Sequence, residues 1–421
     1  MALSERAALA PFREASFRVL FSGRVVNFFG NAFAPVALGF AVLDATGSTA
    51  RLGLVVGVRM VANVVFLLFG GVLADRLPRA AVLVGSNVLS GLSQIALAAL
   101  VLTHHTSLPL LLVLSAFNGT VSALSNPASA ALTSQTIPDA LRTQANAVMR
   151  LGRSGAMILG SSCAGILVAG FGAGWGLAVD GATFLASAAL FAALRVPSAA
   201  PAERASTITE LRQGWTEFAS RTWVWLVVVA FMIVNAVFSS AQQVLGPAVA
   251  DHTFGRRAWG FIIAAQTAGM VVGGMLAIRL RPRRLLLFGC VCVLGQVPLL
   301  LALGVWPMVP VLLVAGFVDG LLLEQFGVAW EVSLQQHIPA DRLARVYSYD
   351  MVGSFVAIPI GQMSIGPLAE AYGNGPVLVG GAALSVAMVA MMCASRSVRG
   401  LVNEARAPEA DAEAVAVTGA A

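Results

Sequence analysis

The chain has 421 residues, of which 58% are hydrophobic and only 11% charged, with a mean hydropathy of +0.84; an ordinary soluble domain carries about 25% charged residues. No soluble core hides that much apolar chain, so a soluble globular fold is excluded, and a bilayer is the matching solvent because helices satisfy their own backbone hydrogen bonds there. The net charge of +6 comes with 26 basic residues that are all Arg, and their position beside apolar runs points to membrane topology rather than to nucleic acid.

Taken in order, the apolar runs predict helices near 18–43, 51–74, 80–102, 108–133, 146–170 and 174–195, which make an N-terminal bundle of residues 1–195. A cytoplasmic linker, 196–221, follows, in which Leu211, Trp215 and Phe218 recur at helical spacing and predict an amphipathic helix lying on the membrane surface. Six further spans near 222–247, 258–279, 284–304, 308–333, 346–370 and 374–394 make a C-terminal bundle, 222–395, and the Ala- and acid-rich segment 396–421 reads as a disordered cytoplasmic tail. An even count puts both termini on one side. With the N-terminus inside, only Arg51, Arg256 and Arg257 face out and Arg24 and Arg59 lie within spans, so the positive-inside rule predicts cytoplasmic N- and C-termini. The first residues are polar and the first apolar stretch is full length, so no cleavable signal is expected. The absence of Lys and the abundance of Ala read as the codon bias of a GC-rich genome.

The two halves repeat. Gly152, Gly160, Gly165 and Gly172 recur as Gly353, Gly361, Gly366 and Gly373, and Ile137-Pro138 as Ile338-Pro339, all at one offset; Gly71-Val-Leu-Ala-Asp75-Arg76 is echoed by Gly274-Met-Leu-Ala-Ile278-Arg279. Six helices is an even number, so the second copy enters with the orientation of the first, giving a parallel repeat about an axis along the membrane normal.

The stretch Gly71-Val-Leu-Ala-Asp75-Arg76-Leu-Pro-Arg79 resembles the loop 2–3 signature of major facilitator transporters. Trp175-Gly-Leu-Ala-Val-Asp180-Gly-Ala-Thr-Phe184, and Trp330-Glu331 through Gln335-Gln336-His337-Ile338-Pro339 to Tyr349-Asp350, resemble the bacterial drug and siderophore exporter branch, which implies a place in a bacterial cell (inner) membrane. The resemblance implies an all-α membrane protein, twelve transmembrane helices in two pseudo-symmetric six-helix bundles, with helices 1, 4, 7 and 10 around a central cavity. It also implies a gate made by Gly71, Asp75, Arg76 and Arg79, which docks on the start of helix 11 near Tyr347. Physically, Asp75 can accept hydrogen bonds from a helix start; a positively charged turn that only fixes topology is the other reading. Helix 4 lacks the Arg of many proton antiporters, Gly160 is followed by Ser161 rather than Pro, and Ile278 stands where Asp75 has its repeat partner.

Acids within spans need a reason, because an ionised carboxylate at a helix centre costs about 2.5–3.5 kcal/mol on insertion scales. Asp319, Glu324 and Glu331 lie on helix 10, and Glu324, near mid-helix, is the leading candidate for proton coupling. Glu331 and Asp350 are further candidates, though Arg342 and Arg345 close by fit a salt-bridge reading; Asp180 is another, with helix packing or gating as its other reading. Asp44, Asp251 and Glu370 sit at external ends, where solvation alone accounts for them.

A ligand cavity calls for polar lining, and the candidates are Asn27 and Asn31 on helix 1, Arg59 and Asn63 on helix 2, Asn118 on helix 4, and Asn235, Gln242 and Gln243 on helix 7. Arg59 can attract an anionic group or pair with an acid such as Asp319, and interhelical bonding is the other reading of the amides. Cys163, Cys290, Cys292 and Cys393 lie within apolar spans without a paired spacing and read as packing residues. The four His form no metal set, no catalytic motif or ATP-binding Lys is present, and no cofactor is expected. These features predict a secondary transporter rather than an enzyme: a proton-coupled exporter of a small amphipathic compound such as a drug, natural product or siderophore. A proton-coupled nutrient importer and a non-transporting membrane sensor or scaffold are the alternatives. Expected partners are a small-molecule substrate, protons and the lipid bilayer, and two covalently joined halves make a monomer sufficient.

Overall fold

The computed structural model describes residues 10–74, 79–194, 215–280 and 282–403, with side chains at 67–80, 126–135, 139, 340, 341 and 344 outside that description. Among the described residues twelve helices are long and apolar enough to cross a membrane, and no strand occurs. They are α1 (Ala15–Asn31 continued by Phe33–Thr46), α2 (Thr49–Ala74), α3 (Arg79–Leu102), α4 (Leu108–Gln135), α5 (Arg142–Phe171) and α6 (Ala173–Ala192). The second set is α7 (Thr222–His252), α8 (Arg256–Ala277), α9 (Leu285–Val305), α10 (Val309–His337), α11 (Ala340–Phe355 continued by Ile358–Tyr372) and α12 (Asn374–Ala394). The twelve expected spans are therefore present, with ends displaced by a few residues.

Interior irregularities sit where the chain forbids a regular helix. In α7 a π-helical turn, Ala241–Leu245, precedes Gly246-Pro247; Pro247 brings no N–H to the ladder, and the widened turn absorbs the shift in register. The discontinuity of α11 falls just before Pro359 for the same reason.

The repeat seen in the sequence has structural counterparts. Gly172 (φ 93) makes the turn between α5 and α6, and its repeat partner Gly373 (φ 87) makes the turn between α11 and α12, a conformation that favours glycine. A side chain at Gly152 of α5 would strike Phe21 and Val25 of α1, and one at Gly353 of α11 would strike Val228 of α7. Gly165 of α5 lies on the backbone of α8 at Gly260, and Gly366 of α11 lies on the backbone of α2 at Thr49 and Ala50. Each pair is the same crossing moved by six helices. Small residues allow such backbone approach, the main means of tight association where lipid removes the hydrophobic drive.

The chain forms two compact units. One comprises Met1–Glu203, Ser239–Thr267 and Ile358–Val377, so it holds the first sequence half together with one end of α7, α8 and α11. The other comprises Arg204–Phe238, Ala268–Ala357 and Leu378–Ala421, and its core is built on Trp223, Val227, Val228, Phe326 and Trp330.

Two expectations change. Within the linker, Leu211 lies outside the described residues, while residues 215–220 are helical and dock on protein: the Phe218 and Trp215 rings lie 5.8 and 5.6 Å from Tyr349, and Phe218 is buried. The tail expected to be disordered from 396 is helical over Arg396–Gly400 with Val398 fully buried. Asn403 then donates its backbone N–H to Arg283 (3.0 Å) and accepts from Gln336 (3.0 Å), so the correction covers 396–403. Apolar Val398 and the paired amide of Asn403 give this segment contacts that its composition does not advertise.

Candidate functional site

The first unit holds a cavity of about 240 Å³ lined by Pro35 and Leu38 of α1, Val56, Arg59, Met60 and Asn63 of α2, Gly119 and Ser122 of α4, Gln243 of α7 and Gln362 of α11. Its walls are thus mainly apolar and amide, with Arg59 as the single ionisable lining residue among the described residues. The wall between α2 and α4 is set by Gly119, whose missing side chain lets the backbone of Arg59 approach, and by Asn63, which donates to the Gly119 carbonyl at 3.2 Å. The wall between α2 and α11 is set by Gly53 and Gly57, which lie on Gln362, Pro359 and Met363. Gly53-Leu-Val-Val-Gly57 has the four-residue glycine spacing that brings membrane helices together, and that spacing was the sequence signal for this crossing.

The expected cavity residues divide. Arg59, Asn63 and Gln243 line the cavity; the others are engaged in holding helices. Asn31 donates to Asn27 (2.7 Å) and Asn27 to Asn87 of α3 (2.8 Å). Asn118 donates to Ser93 (3.3 Å), Asn235 to the Ser354 carbonyl (3.1 Å), and Gln242 to Gln266 of α8. Gln243 and Gln362 both donate to Ser239, at 2.9 and 3.3 Å. Gln362 was not among the expected residues; a Gln within the apolar second segment of α11, three residues after Pro359, is its sequence mark.

The acids also divide. Asp180 is fully buried in α6 and accepts a 2.5 Å hydrogen bond from Gln94 of α3 on Oδ2, while Oδ1 is buried without a partner. The charge that reaches it is that of Arg59. Asp319 is buried at 2% exposure, and Glu324 lies on α10 beside Gly273 and Gly274 of α8. The neighbouring Gln325 donates to the Gly273 carbonyl at 2.5 Å. Asp350 is held by the Trp330 indole (3.0 Å) and Ser354 (3.2 Å), and Glu331 accepts from Gln335 (3.3 Å). Arg342 reaches Glu217 at 2.6 Å, and Arg221 completes that cluster at 2.8 Å. These two guanidiniums hold the Glu217 carboxyl below the usual carboxylate range. Of the gate motif, Asp75 and Arg76 lie outside the described residues, as do the side chains at Gly71 and Arg79.

Solvation does not account for Asp44, Asp251 and Glu370. Arg256 of α8 donates to both oxygens of Asp44 on α1 (2.8 and 2.5 Å) and to Asp251 (2.8 Å), and its guanidinium lies 4.8 Å from the Phe40 ring. Glu370, at the end of α11, accepts from the Ser48 hydroxyl (2.6 Å) and the Ala50 N–H (3.0 Å) at the start of α2, where exposed N–H groups and the helix dipole favour an anion. Asp44 and Glu370 each find a partner from the other sequence half, while Asp251 meets Arg256 within its own. At this end α8 is pinned to α1 and α11 to α2 across the sequence halves, a sealed face formed on helices α1, α2 and α11, which also line the cavity.

Twelve apolar membrane-length helices built from an internal repeat, with a polar-lined cavity in one unit and contacts that join the repeats there, define a multi-pass membrane transporter. The chain belongs to the Major Facilitator Superfamily, whose family model matches residues 20–361. It is similar to an enterobactin exporter of Escherichia coli O1:K1 / APEC, 27% identical over 375 residues, covering 86% of this chain and 88% of that one. It is also similar to its counterpart in Escherichia coli O127:H6 (strain E2348/69 / EPEC), 28% identical over 302 residues and 70% of each chain. Among solved structures it shares its fold with the nucleoside transporter NupG (TM-score 0.73, 14% identity, 90% and 98% of the two chains). A bacterial homologue of the human lysosomal transporter Spinster, in an inward-facing and unoccupied conformation, has the same fold (TM-score 0.67, 16% identity, 91% and 94%).

Proposed function

We propose that the protein exports a small amphipathic compound of the siderophore class by alternating access, with proton entry as the driving reaction. The observation that carries this is the mixed cavity lined by helices that also form the sealed face: Val56, Leu38 and Met60 offer apolar surface, and Arg59, Asn63, Gln243 and Gln362 offer polar groups to one bound molecule. The relatives named as enterobactin exporters support both the compound class and the direction. In this reading the termini are cytoplasmic and the sealed face is external. Export then requires the Arg256–Asp44 and Glu370–Ala50 contacts to part while the loop bearing Asp75, Arg76 and Arg79 closes the other end.

Proton coupling is assigned first to Glu324, whose position on α10 against the glycines of α8 lets a helix slide beside it. The remaining acids, Asp319, Glu331, Asp350 and Asp180, are secondary candidates. The test uses everted vesicles with an acidic lumen and a pH-sensitive dye. Addition of enterobactin should release protons from vesicles containing the wild type and not from those containing Glu324→Gln. Proton release that survives Glu324→Gln removes Glu324 from the coupling role, and absence of release in the wild type counts against proton-coupled export itself.

A further inference from the structure

We infer that the cavity is an anion site: it recognises compounds carrying a negatively charged oxygen together with a separate O–H or N–H donor. The inference rests on the transporter reading and narrows its amphipathic compound to an amphipathic, hydroxylated anion.

Arg59 is the starting point. Among the described residues it is the single ionisable group lining the cavity, and a guanidinium brings five N–H donors in a fixed planar fork that matches a carboxylate or a similar oxyanion. Among the described residues none accepts a hydrogen bond from it; its interaction is through space, with Asp180. Asp180 is not among the lining residues and is fully buried and engaged by Gln94, so it offsets the charge of Arg59 without accepting from its donors. A cation at membrane depth with open donors is an unfavourable arrangement unless something fills it. The backbone of Arg59 is fixed by the close approach of Gly119 and by the Asn63 bond to that same residue, so the base of the side chain is anchored in the cavity wall.

Gln362 supplies the second, independent observation. It is 1% exposed and lines the cavity. Its Nε2 is committed to Ser239, yet its Oε1 is buried without a partner. A buried carbonyl of this kind is satisfied by a donor, and no donor of the described protein provides it. One fork of donors and one open acceptor across a cavity with apolar walls describe the complement of the site: an oxyanion, a donor, and an apolar frame between them. The Asn63 and Gln243 amides line the same cavity, each held in place by one donated bond, to the Gly119 carbonyl and to Ser239.

The test is equilibrium binding of three probes to the purified full chain in nanodiscs at neutral pH: 6-hydroxy-2-naphthoate, 2-naphthoate, and 6-hydroxy-2-naphthamide. They share one frame and differ in charge or in the hydroxyl. The wild type should bind 6-hydroxy-2-naphthoate at least about tenfold more tightly than its amide, in line with a charge-assisted hydrogen bond in a shielded site. It should also bind it a few-fold more tightly than 2-naphthoate. Arg59→Gln should erase the preference for charge, Arg59→Lys should keep part of it, and Gln362→Leu should erase only the preference for the hydroxyl. Equal binding of acid and amide by the wild type overturns the inference, and that comparison requires no variant to fold. Saturable binding of none of the three at millimolar concentration overturns it equally. The assay is blind to direction: charge preference without substrate-dependent proton movement in vesicles counts against the exporter reading alone, and the reverse counts against the anion site alone.

Discussion

Arg256→Ala should loosen the sealed face by an amount that the structure allows to be worked out. Arg256 makes three contacts there, of which two join the sequence halves: the two-oxygen contact with Asp44 and the stacking on Phe40 of α1. The third, with Asp251, stays within the second half and serves to aim the guanidinium. Arg256 and Asp44 side chains are 22% and 42% exposed, so the pair belongs near the upper end of the exposed range, about 1 kcal/mol, rather than with buried pairs. The cation–π contact adds about 0.5–1 kcal/mol at such exposure. The combined loss is about 1–2 kcal/mol, a factor of about 5–30 in the ratio of sealed to open molecules. Asp44→Ala keeps Phe40 and Asp251 in place and should move the ratio by about fivefold, and the double variant should exceed Arg256→Ala little, since both act on one contact. Spin labels at the exposed positions Ala45 and His252 report the separation of α1 from α7 by pulsed dipolar spectroscopy in a cysteine-free background. Raising salt to about 1 M should bring the wild type part of the way toward Asp44→Ala, because screening then acts within about 3 Å. An unchanged distance distribution in both Arg256→Ala and the double variant would refute the reasoning, leaving glycine packing as the whole of the seal.

Glu370→Ala removes the acceptor of the Ser48 and Ala50 donors and should weaken the start of α2 by about 0.5–2 kcal/mol, as loss of a helix cap does; hydrogen exchange at Ala50 and its neighbours should accelerate, with Glu370→Gln in between. Glu217→Gln should destabilise the protein at neutral pH, through the lost contacts to Arg221 and Arg342. Because the folded-state pKa of Glu217 is depressed, its contribution is present above the ordinary carboxyl range and lost as pH falls through the folded value. The gap in thermal unfolding between wild type and variant should therefore hold from neutral pH down to the ordinary carboxyl range and close below it; a gap that widens in acid contradicts the assignment. A methyl group at Gly260 would lie 2.5 Å from the Ser161 carbonyl and 2.7 Å from the Gly165 Cα, whereas one at Gly155 would meet nothing within 4 Å. Gly260→Ala should lower thermal stability by about 1–3 kcal/mol and Gly155→Ala should leave it near the wild-type value.

The fold was largely legible in the sequence because a bilayer imposes a coarse code. Full-length apolar runs with Arg between them specify twelve helices, and the glycine offset specifies the repeat that Gly172 and Gly373 express as matching turns. Site residues were less legible, since a polar side chain in a membrane helix is wanted equally by a ligand and by another helix. Asn27, Asn31, Asn118 and Asn235 were spent on neighbours, while Arg59, Asn63 and Gln243 reached the cavity. Spacing along one helix does not record which neighbour faces it. The contacts most hidden from sequence were the long-range ones. Asp44, Asp251 and Glu370 sit at helix ends where any acid is soluble, and only the packing of α1, α2, α8 and α11 turns them into fasteners. Glu217 escaped notice within a linker read for its apolar stripe, and Gln94 became visible only as the partner of Asp180.

The central claim, outward movement of an amphipathic compound powered by proton entry, is tested most directly by following radiolabelled enterobactin in paired membrane vesicles of both orientations. Everted vesicles given an acidic lumen should accumulate the label above its equilibrium level and lose it on addition of a protonophore, and right-side-out vesicles should not accumulate it. Accumulation by right-side-out vesicles alone, or accumulation in everted vesicles that a protonophore leaves untouched, would contradict the account.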